Sequence, residues 1–197
     1  MSDIFTKIKQ DPHYSSKNSS AWFQQRIRQL ISGSTQLTSA QMVKEQKALL
    51  TTQLLPGRMY AFAYDPKHKD TLPYYDRFPL ILPFSKAHNS FTGLNLHYLS
   101  PALRIVLLNK LQAFAKLNRK GDAEYLRFSW SMIGAASKYR EVAPCVKMYL
   151  NSHVQTKFIE IPPADWMLAS QLPMSNFAKA KPVDVWKESN RMIRGKR

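Results

Sequence analysis

The chain holds one cysteine, Cys145, among 197 residues. No internal disulfide can form, and a thiolate metal site has no second sulfur to build on. Cys145 is therefore expected to be a small buried apolar residue. Long hydrophobic runs are missing too: no segment reaches the roughly 18 consecutive apolar residues that a membrane span requires, so no membrane partner is expected. The N-terminus, MSDIFTKIKQDPHYSS, lacks the apolar core and small-residue cleavage site of a secretory signal, which predicts a soluble chain of intracellular origin. Catalytic motifs are equally scarce. There is no GxxxxGK[ST] loop and no nucleophile elbow, and His97 and His153 have no HxH, HxxxH or HExxH partner. Strand Glu160 is followed by Ile161 and Pro162, where a metal-dependent nuclease would place a lysine two residues on. Asp65, Asp70 and Asp76 read as turn residues. No enzyme activity, cofactor or metal is expected.

Acidic residues are the remaining shortage. Thirteen Asp and Glu stand against 29 Lys and Arg, a formal charge of +16. Such an excess is the electrostatic footprint of a polyanion partner, most often nucleic acid. Residues 101–157 hold ten of the cations and only three acids, so the basic centre is the middle of the chain and not a tail. Hydrophobic residues make up 44% and aromatics 12%, enough for a folded core.

Residues 1–20, with Asp11-Pro12 and SSKNSS, read as a polar arm, and 21–55 as a helical extension. Ser20 caps a helix carrying Trp22, Phe23, Ile27, Leu30 and Ile31, and a second helix runs from Thr38 or Ser39 to about Leu50. Pro56-Gly57 then breaks the pattern. Residues 56–193 form a mixed α+β domain, with strands over about 58–98 and 156–161 and helices over about 101–153 and 163–193; a basic tail occupies 194–197. Tyr60, Phe62 and Tyr64 alternate, and with Phe78, Leu80 and Leu82 they are expected to bury one face of a sheet. Pro79 and Pro83 predict an edge strand or one at a barrel rim, and Gly93 a bulge or close backbone approach. A stripe of Leu103, Val106, Leu107, Leu111 and Phe114 predicts a helix from Pro101, and a further helical piece is expected from Pro144. The expected fold is a small SH3-like barrel or curled antiparallel sheet with inserted and flanking helices.

Two sets of residues fit a nucleic acid. The loop after the first strand interleaves Lys67, Lys69 and Arg77 with Tyr74 and Tyr75, so phosphates can meet cations while a base stacks on a ring. Changing Tyr74 and Tyr75 together is expected to remove a preference for DNA ends. The basic segments at 101–120 and 138–153 supply the general grip through Arg104, Lys110, Lys116, Arg119, Lys120, Lys138, Arg140 and Lys147. The same rings and cations would also serve a protein interface or unpaired RNA.

The strings PGRMYAFAYDPKHKDTLPYYDRFPLILPF, FTGLNLHYLSPALRIVLLNKL, GAASKYREVAPCVKMYLNSHVQTKFIEI and VWKESNRMI carry a resemblance over about 56–193, leaving the N-terminal helices outside it. They resemble the DNA end protectors of T-even type tailed bacteriophages. The resemblance implies a virion protein, synthesised in the host cytoplasm, that completes the DNA-filled head and shields the double-stranded DNA terminus from host exonucleases. Other virion proteins of the head, neck or baseplate are its implied partners. The alternative is a structural neck or baseplate protein that docks on such proteins.

Overall fold

A computed structural model describes residues 50–117, 140–161, 165–172 and 174–195. The helices expected over 20–50, apart from Leu50, and residues 118–139 of the helical region expected over about 101–153 lie outside those residues. Elements follow in the order β1 Leu50–Thr51, β2 Met59–Ala61, β3 Tyr75–Asp76, β4 Leu80–Lys86, β5 Ser90–Asn95, α1 Pro101–Leu117, β6 Val146–Leu150, β7 Phe158–Ile161, α2 Trp166–Gln171, β8 Phe177–Ala178 and α3 Pro182–Arg194. Among the described residues, no helix is long and apolar enough to cross a membrane.

Six strands form one antiparallel sheet in the order β1-β7-β2-β4-β5-β6, and β3 pairs with β8 in a separate ribbon. The expected curled antiparallel sheet with flanking helices is thus present. Closure into an SH3-like barrel is not among the described pairings, because β1 and β6 end the ladder.

Local chemistry explains several departures from the expectations. β4 lies between β2 and β5 and is not an edge strand. Pro79 precedes it, and Pro83 sits where the register to β5 shifts between Pro83 and Ser85. A bulge tolerates the missing N–H that a regular central strand would not. Gly93 faces Pro83, and a Cβ there would lie 3.0 Å from the Leu82 carbonyl oxygen, so the expected close backbone approach is real. Residues 146–150 form strand β6, not the helix expected from Pro144. Only a 3-10 turn, Ala143–Cys145, follows the proline. VKMYL has the β-branched and aromatic content of a strand, and β5 offers it an open edge.

Both faces of the sheet are covered. Met59, Ala61, Leu80, Leu82, Leu94, Ile159 and Ile161 join the main core with Phe78, Cys145 and residues of α2. Tyr60, Phe62, Tyr64, Ile81, Phe91 and Tyr149 form a second cluster on the opposite face. The expectation of one shared face for Tyr60, Phe62, Tyr64, Phe78, Leu80 and Leu82 is corrected accordingly. Successive strand residues point to opposite sides, and here each side has a core to enter. Phe62 is the hub of the aromatic side, with ring centroids 5.1 Å from Phe158, 5.4 Å from Tyr149 and 5.7 Å from Phe91. The tyrosines there keep their hydroxyls satisfied. Those of Tyr60 and Tyr64 accept the Leu55 and Leu150 backbone N–H groups, at 3.0 and 3.1 Å.

In α1 the apolar stripe read from Leu103, Val106 and Leu107 is rotated. Val106 is 49% exposed, whereas Arg104 and Leu108, one turn apart, are buried. The reason is Arg104 itself, whose surroundings belong to the candidate site.

Candidate nucleic-acid interface

The loop from Asp65 to Arg77 leaves the sheet beside β2 and returns to it. At its base the Tyr64 N–H donates to the Arg77 carbonyl at 2.9 Å and the Asp65 N–H to the His153 carbonyl at 3.1 Å. Asp65-Pro66 starts a tight turn, closed by the Lys69 N–H to the Pro66 carbonyl at 3.2 Å, and Lys69 pairs with Asp65 at 2.9 Å. Lys179 clamps the far side. Its ammonium donates to the carbonyls of Lys69, Asp70 and Leu72 at 2.7, 2.9 and 3.1 Å, from a backbone with φ of 65°. That left-handed conformation is uncommon outside glycine and is held by the bonds it makes possible. No pattern in the sequence marked Lys179.

Alternation then sorts the end of the loop. Asp76 and Phe78 are buried, while Arg77 is exposed and Tyr75 half-buried. Tyr75 and Arg77, two residues apart, therefore share the outward side at a spacing of about 6.6–6.8 Å. Lys67 and Lys69 are exposed beside them in sequence, and Lys69 lies within electrostatic range of Tyr75. Tyr74 points the other way. Its ring packs 6.0 Å from that of Tyr98 and 6.2 Å from that of Phe177. Burial, with Glu188 adding to it, pushes the Tyr74 phenol up to about 12. Both tyrosines are half-buried: Tyr74 packs against Tyr98 and Phe177, and strand alternation turns Tyr75 to the other side.

Asp76, read as a turn residue, is instead the centre of a buried network. Its Oδ1 accepts from the backbone of Phe78 at 3.1 Å and Asn176 at 3.3 Å, and its Oδ2 from Asn95 Nδ2 at 3.1 Å and His97 Nδ1 at 2.7 Å. Arg104, 2% exposed, is not on the surface as expected. Its Nε donates to the Leu99 carbonyl at 2.8 Å, Nη1 to Ser170 at 2.8 Å and Nη2 to His97 at 3.4 Å, while the guanidinium lies 5.6 Å from the Trp186 ring centroid. A fork of donors that fits phosphates fits converging carbonyls equally well, and sequence alone does not distinguish them. Burial lowers Arg104 to about 10, still charged at neutral pH, with Asp76 opposing the fall. Lys147 is also turned inward: half-buried on β6, its ammonium lies 4.1 Å from the Tyr98 ring centroid.

Burial pushes the His97 pKa down from 6.5 against the opposing pull of Asp76. Burial also pushes the Asp76 carboxyl up, but His97, Asn95 and the Phe78 N–H outweigh it and leave the pKa below 3.8. Both shifts have one sign. The unfolded chain takes up each proton first, so stability is full above pH 6.5 and is lost as pH falls through the lowered values. Denaturant melts from pH 7.5 to 5 are expected to show a decline beginning near 6.5, with a limiting slope of about 1.4 kcal/mol per pH unit for one proton. A flat profile would contradict the buried neutral His97.

The remaining expected contacts divide plainly. Lys110 and Lys116 lie on α1; Arg119, Lys120 and Lys138 fall outside the described residues. Arg140 is exposed and reaches the Met192 carbonyl with its Nε at 3.5 Å. Cys145 is fully buried, as expected, and burial raises its thiol to about 12. Among the described residues no group of three or more His, Cys, Asp or Glu could hold a metal ion.

A family model described as phage T4 terminal DNA protecting protein matches residues 1–188. The match takes in the N-terminal segment that the resemblance over 56–193 left out. No curated protein and no solved structure matches the chain significantly.

Proposed function

The chain belongs to the phage T4 terminal DNA protecting protein family, and from that premise we propose that the loop 65–77 is the part that meets the duplex end. Lys67, Lys69 and Arg77 bind the last phosphates, and Tyr75 stacks on the terminal base pair. A duplex interior hides its base faces, whereas a terminus exposes one, so a ring beside cations gains a contact there that internal DNA cannot supply. Protection is then steric and non-enzymatic. The observation that carries this reading is the outward pairing of Tyr75 and Arg77 on a segment pinned by Lys179 and by the buried Asp76. As a virion component made in the host cytoplasm, the protein would dock on other head, neck or baseplate proteins in the same proposal.

The test compares linear with closed-circular duplex of one sequence. Wild type is expected to prefer the linear form and to slow its exonuclease digestion. Tyr75→Ala should remove about 1–3 kcal/mol of that preference, the worth of one stack. Tyr74→Ala should retain the preference and instead lower stability, because its ring is packing. Equal binding of both forms by wild type, with no protection, would sink the proposal.

A further inference from the structure

We propose that α3 carries a second DNA contact, a stripe of Lys187, Arg191 and Arg194 that grips the sugar-phosphate backbone of the duplex behind the end. The inference rests on the end-protection reading and adds a surface that the loop does not include. Its basis is the way α3 is seated. Val185 and Ser189 are buried, and Trp186 Nε1 donates to the His97 carbonyl at 2.9 Å. One face of the helix is thereby fixed against the body of the protein.

At 100° per residue, Lys187, Arg191 and Arg194 fall within about 60° of one another, opposite the Val185–Ser189 seam. All three are exposed. Cations in a last turn are favoured by the helix dipole, which accounts for Arg191 and Arg194 without any ligand. It does not account for Lys187 in mid-helix, aligned with both. Asp184 lies beside this face, 3.8 Å from Lys187, and both side chains are more than half exposed. Such a pair is weak and exchanges readily for a phosphate. Arg140 arrives from a separate segment, its Nε 3.5 Å from the Met192 carbonyl.

The dimensions suit a duplex. Seven residues of helix advance about 10.5 Å, while one DNA strand presents a charge about every 3.4 Å along the axis. Three cations therefore face about three phosphates. Rod-like, repeating negative charge is the partner to which such a row is complementary, and Coulomb contact with it needs no shaped pocket.

The experiment measures binding to closed-circular duplex, which has no ends, over 50–200 mM salt. Lys187→Gln, Arg191→Gln and Arg194→Gln are combined in the full chain; glutamine preserves helix propensity, and circular dichroism confirms folding. The variant's slope of log affinity against log salt is expected to be shallower by about 2–3, which over that range is about a 40-fold difference in affinity lost. Its residual preference for linear DNA should match wild type, and the charge-retaining Lys187→Arg, Arg191→Lys and Arg194→Lys variant should restore the slope. A steep wild-type slope that the glutamine variant keeps would overturn the inference alone. No duplex binding by wild type would overturn the end-protection reading beneath it. Unchanged DNA binding with lost incorporation into phage heads would assign the stripe to a protein partner and likewise overturn it.

Discussion

Replacing Arg104 with alanine is expected to lower unfolding free energy by about 3–5 kcal/mol, the range for removing one member of a buried charged network. The side chain joins four parts of the molecule: α1, on which it sits, the carbonyls of His97 and Leu99, the carbonyl of Ser170 in α2, and the Trp186 ring of α3. Truncation takes a donor from the buried Leu99 and Ser170 carbonyls, leaves the His97 carbonyl with Trp186 Nε1 as its donor, and leaves Asp76 without a nearby positive charge. Lysine would keep the charge but not the fork, so Arg104→Lys should fall between wild type and alanine. Denaturant melts give the stability change. Duplex binding below the melting temperature gives the second readout, because a buried guanidinium contributes nothing to counterion release and the salt slope should stay at its wild-type value. Unaltered stability with a flattened slope would place Arg104 on the DNA.

The second large effect is expected at Asp76. Asp76→Ala removes the acceptor of four hydrogen bonds at once, leaving the His97 ring nitrogen and one Asn95 amide proton unpaired in a space without water-facing surface and the buried Arg104 without its opposing charge. A loss of about 3–5 kcal/mol at pH 7 is again the expectation. Asp76→Asn has nearly the same shape, but its amide nitrogen would meet a second donor at Asn95 or His97, so a smaller yet clear loss is expected. That variant also lacks the carboxyl, and its stability should lose the part of the acid-dependent fall expected from Asp76 below pH 3.8. The network anchors Tyr75 and Arg77 through their neighbour. In either variant the preference for DNA ends should therefore weaken along with stability, whereas an alanine variant as stable as wild type would remove the network from the account.

Much of this protein was readable from residues in order. Hydrophobic alternation and proline placement located β2, β4 and β5, Pro101 opened a helix, and Gly93 marked a close backbone approach, because these signals are local consequences of chain geometry. The charge excess named the class of partner, and the strings around the 65–77 loop named the family that the match over 1–188 then showed. What the sequence could not assign was direction. VKMYL became a strand only because β5 presented an edge. Arg104 and Lys147 were counted with the surface cations, yet one faces three carbonyls and the other an aromatic ring. Tyr74 and Tyr75 are adjacent in the chain and opposite in space. A cation's type and position along the chain state that it needs negative charge or a π face nearby. Whether a carbonyl, a ring or a phosphate supplies it depends on contacts between segments far apart in sequence, as when Lys179 reaches back to the carbonyls of Lys69, Asp70 and Leu72. Only the packing of those segments decides it.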